Sequence, residues 1–413
     1  MDTTFFLPTM SNEQYRRINE EMSLFKDKYF QKTDNNNSEI VISEFESKHD
    51  EWFSIVPYMQ KCDLYGDCLV IYSIATDLQL SFDRLNRLSL FIYEFENYKY
   101  SPHNYLQVLY HNIGISWHNL NKLYDNNAVK AFRKSIFYLL GLSSSTSYSP
   151  VCYSFRRCST YLYQALIKEQ INLSSPSTFN DPFDSPIIAL LDNQDEISKL
   201  IREAYLSCVK IACFISNVML PFEKDPKNST SEIIRDKQKS KGNIPEFLNE
   251  LMWAHYADYH KGICIKYHFP NSFTQVYTKP NIPVRYFRDV EYKDDLSILN
   301  AQDSISIMDA FFAKSKAWEY ENELRLLQCD LNGKGDYDTI DIPNCIEAIY
   351  FGVRCSQRDI DTIMEIMKNR VFITKTSMII NNKVETIENK ESIQFYKMEF
   401  DSTKFGSLNA IPI

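Results

Sequence analysis

"GLSSSTSYSP", residues 141–150, divides the chain. Gly141 belongs to the residue types that end helices, Ser143, Ser144, Ser145 and Ser147 crowd around Thr146, and Pro150 closes the run, a composition that reads as a connector. Before it, apolar residues recur at helical spacing. After it, short β-prone runs alternate with helical ones. The sequence therefore predicts an α+β protein with an all-helical domain over residues 1–142, a linker over 143–150 and a mixed α+β domain over 151–413. At 413 residues the chain exceeds the roughly 100–200 residues of a typical domain, which agrees with two.

Upstream, "YLQVLYHNIGISWHNLNKLYDNNAVKAFRKSIFYLLG" (105–141) carries the clearest periodicity. Tyr110, Ile113, Gly114 and Trp117 fall on one helical face, with Gly114 small enough to admit a neighbouring helix. A polar turn around Asp125-Asn126-Asn127 follows, and Ala128, Phe132 and Ile136 then form a second face at i, i+4, i+8. The pair resembles a tetratricopeptide repeat, with a turn about two residues longer than the usual repeat of ~34. The stretch 70–95 repeats the pattern more loosely around Ile74-Ala75, and a third hairpin is expected near Trp52. A generic helical bundle accounts for the same spacing. If these are repeats, a protein partner is their expected ligand.

Composition narrows the function classes. Aromatic residues make up 14 %, with 27 Tyr and 27 Phe against 9 Gly, which favours packed aromatic surfaces over glycine-rich phosphate loops. The net charge of −9 argues against general nucleic-acid affinity, because counterion release needs a basic face, although a local basic patch remains compatible. The ten cysteines form no Cys-x-x-Cys pair and read as free thiols of a reducing compartment. "MDTTFFLPTM" lacks the basic segment and apolar run of a secretory signal, and no apolar stretch approaches the ~18 residues of a membrane span. A cytoplasmic protein without a membrane partner is expected.

Downstream of the connector, "VCYSF" (151–155), "INLSSP" (171–176), "KIACFIS" (210–216), "GICIKYHF" (262–269) and "AIYFGV" (348–353) read as strands, with "STYLYQALIKEQ" (159–170) a helix between the first two. The polar segment 223–243 reads as a loop or lid beside the third strand.

Four clusters in this region can carry chemistry. "YSFRR" (153–157) is a strand ending in two arginines. "FNDPFD" (179–184) is stiff: Asn180 can close an Asx-turn, and Pro182 holds Asp181 extended. The simpler reading is a rigid turn in which Asp184 caps a helix "SPIIALL". "MWAHYADYHKGICIKY" (252–267) places Trp253, Tyr256, Tyr259 and His260 around a helix that stops at Gly262. His255 and His260 are five apart and diverge on a helix, so no metal is expected there. In "KSKAWEYENELRLL" (314–327) a strand would aim Glu321, Glu323 and Arg325 at one face, whereas a helix would make Glu321 and Arg325 an ordinary surface pair.

Taken in order, Phe155-Arg156, Phe179 to Asp184, the Trp253/His255/Tyr256/His260/Gly262 segment and the Trp318/Glu321/Glu323/Arg325 segment resemble a bacterial family known only as a domain of unknown function. A second resemblance is to ADP-ribosyltransferases, which carry an Arg or His on a first strand, a Ser or Tyr on a second and a catalytic Glu, often in Glu-x-Glu, on a later one. Here Arg156, the Ser174-Ser175 strand end and Glu321-Asn322-Glu323 occur in that order. The "STS" triplet Ser145-Thr146-Ser147 precedes Arg156 and departs from the pattern. The resemblance implies an NAD-dependent transferase with Glu323 and Glu321 as the catalytic carboxylates. Arg156, Ser174, Asn180, Asp181, Trp253, His255, Tyr256, His260 and Arg325 would then bind NAD. A protein or nucleic acid would be the acceptor, in the setting of a bacterial defence or toxin protein. Two other readings stay open: a Mg²⁺-dependent nuclease built on Asp181, Asp184, Glu321 and Glu323 with Lys314 or Lys316, and a binding module without catalysis.

Overall fold

The helical stripes of 105–141 become α1 (His103–Leu120) and α2 (Asp125–Ser143). Their facing residues Tyr110, Ile113, Trp117, Ala128, Phe132 and Ile136 are all buried. Gly114 lets the helices touch, since a Cβ there would lie 2.6 Å from the Phe132 ring. Polar ties join the pair: Ser135 Oγ donates to the Gln107 carbonyl at 2.9 Å, and Lys134 Nζ to Tyr110 Oη at 3.1 Å. The second helix runs two residues past Gly141, because nothing but its intrinsic propensity makes glycine stop a helix that is packed on both sides.

The computed structural model describes residues 103–120, 125–143, 151–179, 195–216, 250–270, 282–294, 309–380, 383–403 and 407–413, with isolated positions in 11–24 and at 181, 184 and 273. The hairpins expected at 70–95 and near Trp52, the lid at 223–243 and most of the connector lie outside the described residues. Among the described residues no helix is long and apolar enough to cross a membrane.

The remainder is a mixed α+β body around a ten-stranded sheet. Chain order gives β1 (Val151–Arg156), α3 (Thr160–Lys168), β2 (Gln170–Ser174), α4 (Glu196–Cys208), β3 (Val209–Ser216), α5 (Glu250–Tyr256) and β4 (Ile263–His268). Next come β5 (Val284–Asp289), β6 (Glu291–Lys293), β7 (Ala313–Ser315), β8 (Glu323–Cys329), β9 (Tyr337–Asp341), β10 (Ile346–Phe351) and α6 (Gln357–Met367). The chain ends in β11 (Val371–Ile380), β12 (Lys383–Ser392), β13 (Gln394–Phe400) and β14 (Leu408–Pro412). The ribbon β11–β12 and the short pair β6–β7 stand outside the large sheet.

Pairing register decides where the sheet opens. β1 follows β4 over six residue pairs, from Val151↔His268 to Arg156↔Ile263. β3 follows β8 over seven, from Val209↔Cys329 to Ile215↔Glu323. Between β1 and β3, however, only Cys152↔Ser216 and Tyr153↔Ile215 are paired. β2 meets the same edge of β3 at Ser174↔Ile211. The edge of β3 from Ala212 to Phe214 is therefore left unpaired where β1 peels away toward β4, and a fork opens there.

The core lies beneath this fork. Leu162 and Leu166 of α3 and Ile360, Ile363 and Met367 of α6 cover one face of the sheet, while Phe214 meets Tyr267 and Phe269 edge-on and those two stack, all at ring separations of 5.6 Å. Burial on this scale is the dominant favourable term in folding. The helical pair docks on the body through α4, where Arg133 Nε donates to Ser207 Oγ at 2.8 Å. Because α4 runs directly into β3, α2 braces the strand that floors the fork.

Candidate functional site

The fork is a cavity of about 690 Å³, inside the range of roughly 300–1,000 Å³ usual for small-molecule sites. Ser154, Phe155 and Arg156 form one wall, Asn172 and Ser174 the other, and Ile211 to Ile215 of β3 the floor. Thr178, Phe179, Asp181, Asp184, Met252, Tyr256, Trp318, Glu321 and Glu323 complete the rim.

Asn322 sets the geometry of the acidic side. Its left-handed backbone, φ 45°, ends a 3-10 helix over Lys316–Glu321 and starts β8 at Glu323. The uniform strand anticipated over "YENELRLL" is thus corrected: Glu323 and Arg325 share a strand face, and Glu321 reaches them from the preceding turn. The helical alternative for this segment is excluded by the β3–β8 register.

The three side chains meet in a buried ionic cluster. Arg325, 0 % exposed, donates to Glu323 through Nε at 2.8 Å and to the Phe311 carbonyl through Nη1 at 2.7 Å, and it pairs with Asp184. Lys314 Nζ lies 2.6 Å from Glu321 Oε2, 3.1 Å from Glu323 Oε2 and 3.3 Å from Asp184 Oδ2. Burial disfavours the Lys314 charge, but Glu323, Asp184 and Glu321 outweigh it and keep the ammonium protonated well beyond its ordinary range. Burial likewise opposes ionisation of Glu323, yet Arg325 and Lys314 prevail and hold its carboxyl down at about 2. Three formal carboxylates thus face two cations, leaving the cluster one negative charge in surplus beside the cavity.

Aromatic side chains seal the cluster. The Phe179 ring lies over the Arg325 guanidinium at 5.5 Å and the Trp318 ring over Lys314 at 5.2 Å. Tyr256 Oη donates to Glu321 Oε1, and Trp318 Nε1 donates to Asp181 Oδ2 at 2.9 Å. Asp184 therefore serves the ionic cluster, and the helix it was expected to cap lies outside the described residues, as does Asn180. Cys213 is the single exposed residue of β3 and faces the cavity. The protein packed around its sulfur and the neighbouring Glu323 carboxylate push its thiol up, away from the thiolate form.

The other sequence candidates sit elsewhere. Trp253 is fully buried and meets Phe155 edge-on at 4.9 Å, supporting the wall from behind. The reason is a shorter helix than the spacing suggested. It ends at Tyr256, and Asp258, Tyr259 and His260 then take three successive left-handed conformations, φ 47°, 54° and 67°. That turn stacks His260 on Trp253 at 6.4 Å, while His255, on the helix before it, is exposed beside Tyr320. Burial, with Arg354 adding to it, lowers the His260 pKa. Arg325 is not among the residues lining the cavity and meets it through Glu323, Asp184 and the Phe179 ring. The sequence offers Lys314 only for a scissile phosphate and carries no signal for Cys213. Each is placed by a register that local sequence does not carry.

Residues 252–326 match the model of a family described as protein of unknown function (DUF2971). The match spans α5 to β8 and so includes Tyr256, Lys314, Trp318, Glu321, Glu323 and Arg325, whereas Arg156, Ser174, Asp181 and Asp184 fall outside it. No curated protein and no solved structure matches the chain.

Proposed function

We propose that the chain is an ADP-ribosyltransferase-like effector that uses NAD⁺, in which the helical pair and the repeats expected before it dock a protein partner. One observation carries this reading: Arg156 and Ser174 at the ends of β1 and β2, Glu323 at the start of β8 and Glu321 in the turn before it line a single cavity. Their order along the chain is the order in which the transferase resemblance places them.

The electrostatics support it. NAD⁺ would supply a ribose whose bond to nicotinamide breaks with the electron pair leaving on the ring nitrogen, so that positive charge develops at the sugar. A cluster with one surplus negative charge, fixed before the ligand arrives, stabilises such charge without reorganising. Lys314 and Arg325 hold Glu323, Lys314 holds Glu321, and the remaining lone pairs of both carboxyl groups are suited to sugar hydroxyls. Arg156, on the β1 wall, is suited to the diphosphate. Phe155, Phe179, Tyr256 and Trp318 offer apolar faces for the rings.

The carboxylates speak against the nuclease reading, since Lys314 Nζ fills the point where Asp184, Glu321 and Glu323 converge and where a divalent ion would have to sit. The test is transfer of labelled ADP-ribose from NAD⁺ to total cell protein and nucleic acid by the purified chain. Label on either acceptor class, lost in Glu321→Gln and Arg156→Gln, supports the proposal. A chain that neither binds NAD⁺ nor labels an acceptor sinks it.

A further inference from the structure

A second cluster lies away from the cavity. Cys158 follows β1 by two residues, Cys355 sits in the loop between β10 and α6, and Asp359 occupies the first turn of α6. One ligand atom from each lies within 4.8 Å of the other two. Cys355 is buried, and Cys158 and Asp359 are half-buried. Three segments far apart in sequence thus bring two thiols and a carboxylate to one point.

The carboxylate is held in place. Tyr163 Oη, from α3, donates to Asp359 Oδ1 at 2.7 Å, and Ser356 Oγ donates to Oδ2 at 2.6 Å. Ser356 also caps α6 by accepting from the Asp359 backbone N–H at 3.2 Å. Capping alone accounts for one carboxylate oxygen, and the tyrosine on the other fixes the plane of the group toward the thiols. Outer hydrogen bonds of this kind orient the ligands in protein metal sites.

We infer that Cys158, Cys355 and Asp359 bind a divalent ion of the zinc class. Two thiolates and one carboxylate suit a borderline-soft ion, whereas calcium and magnesium take all-oxygen sets. Three protein donors leave the fourth tetrahedral position to water. Binding releases the two thiol protons to solvent. A disulfide would use the same thiols but not the carboxylate held beside them. The ion would staple the end of β1, two residues beyond Arg156, to the β10–α6 loop and so hold one wall of the cavity.

The test uses the full chain, purified under reducing conditions, stripped with a chelator and titrated with Co²⁺. One equivalent should produce thiolate-to-cobalt charge transfer and a tetrahedral d–d band, both displaced by Zn²⁺. Cys158→Ser and Cys355→Ser should each weaken binding by at least about tenfold, whereas Cys345→Ser should not. Should the serine variants fail to fold, alkylation of the wild type read by peptide mass spectrometry replaces them, and Zn²⁺ should then protect Cys158 and Cys355. Absence of the charge-transfer band in the wild type, or no protection of these two thiols, overturns the inference. So does a chain that takes no Co²⁺ but closes a Cys158–Cys355 disulfide under mild oxidant.

Discussion

Trp318 donates its indole N–H to the Asp181 carboxylate at 2.9 Å, across a sequence separation of 137 residues. This bond joins Asp181 to the turn that launches Glu321 and Glu323. The pairing of Arg325 with Asp184 adds a second tie to the same side.

Trp318→Phe keeps the ring over Lys314 but removes the donor. A hydrogen bond to a charged acceptor contributes about 1.5–3 kcal/mol, and this one is half-buried, so the variant should lower stability by roughly 1–2 kcal/mol and weaken NAD⁺ binding several-fold. Asp181→Asn retains an acceptor and should lose less. Thermal unfolding and calorimetric titration of the two variants would check the order.

Among the described residues, Lys314 is the one side chain paired with all three carboxylates of the cluster. Lys314→Met would leave Asp184, Glu321 and Glu323 facing Arg325 alone. Removing one partner of a buried ion pair typically costs about 3–5 kcal/mol, and a loss of that size is expected in urea unfolding. Adding Glu321→Gln to the variant removes the orphaned charge and should restore part of the loss. A double variant no more stable than Lys314→Met would contradict the electrostatic account.

Glu323 gives the protein a defined acid limb. Its carboxyl titrates at about 2 in the folded chain against an ordinary 4.5. A group depressed on folding stabilises fully above its unfolded value and loses that contribution as pH falls toward its folded one. Stability should therefore hold above about pH 4.5 and decline between there and about pH 2, with Glu323 contributing of order 3 kcal/mol. Melting temperatures of wild type and Glu323→Gln, measured across this range, should converge at the acid end.

Gly262 has no room for a side chain, because a Cβ there would overlap the Arg156 carbonyl oxygen. Gly262→Ala must push β1 away at the residue whose guanidinium lines the cavity. A destabilisation of about 1–3 kcal/mol is expected, with weakened NAD⁺ binding beyond what the fall in stability explains. Binding measured well below the melting temperature separates the two effects.

Local pattern made the elements legible. The β-prone runs at 151–155, 171–176, 210–216, 262–269 and 348–353 are strands, and the stripe of Tyr110, Ile113 and Trp117 is a buried helical face, because burial imposes its period on the chain. The acidic side was legible in part: the strand reading brought Glu323 and Arg325 to one face, whereas Glu321 comes from the 3-10 turn before β8. What stayed hidden depends on pairing between distant segments. The fork exists because β1 prefers β4 over six pairs to β3 over two, and Cys213 faces the cavity only for that reason. The left-handed turn at Asp258, Tyr259 and His260 was equally invisible, since none of the three is a glycine. It moved Trp253 and His260 from an expected ligand surface to the support behind Phe155.

The most direct measurement is nicotinamide release from NAD⁺ by the purified full chain, wild type beside Glu323→Gln, with circular dichroism to establish that both are folded. The account predicts release by the wild type and its loss in the folded variant. Equal release by both, or none by a folded wild type supplied with cell extract as acceptor, would contradict it.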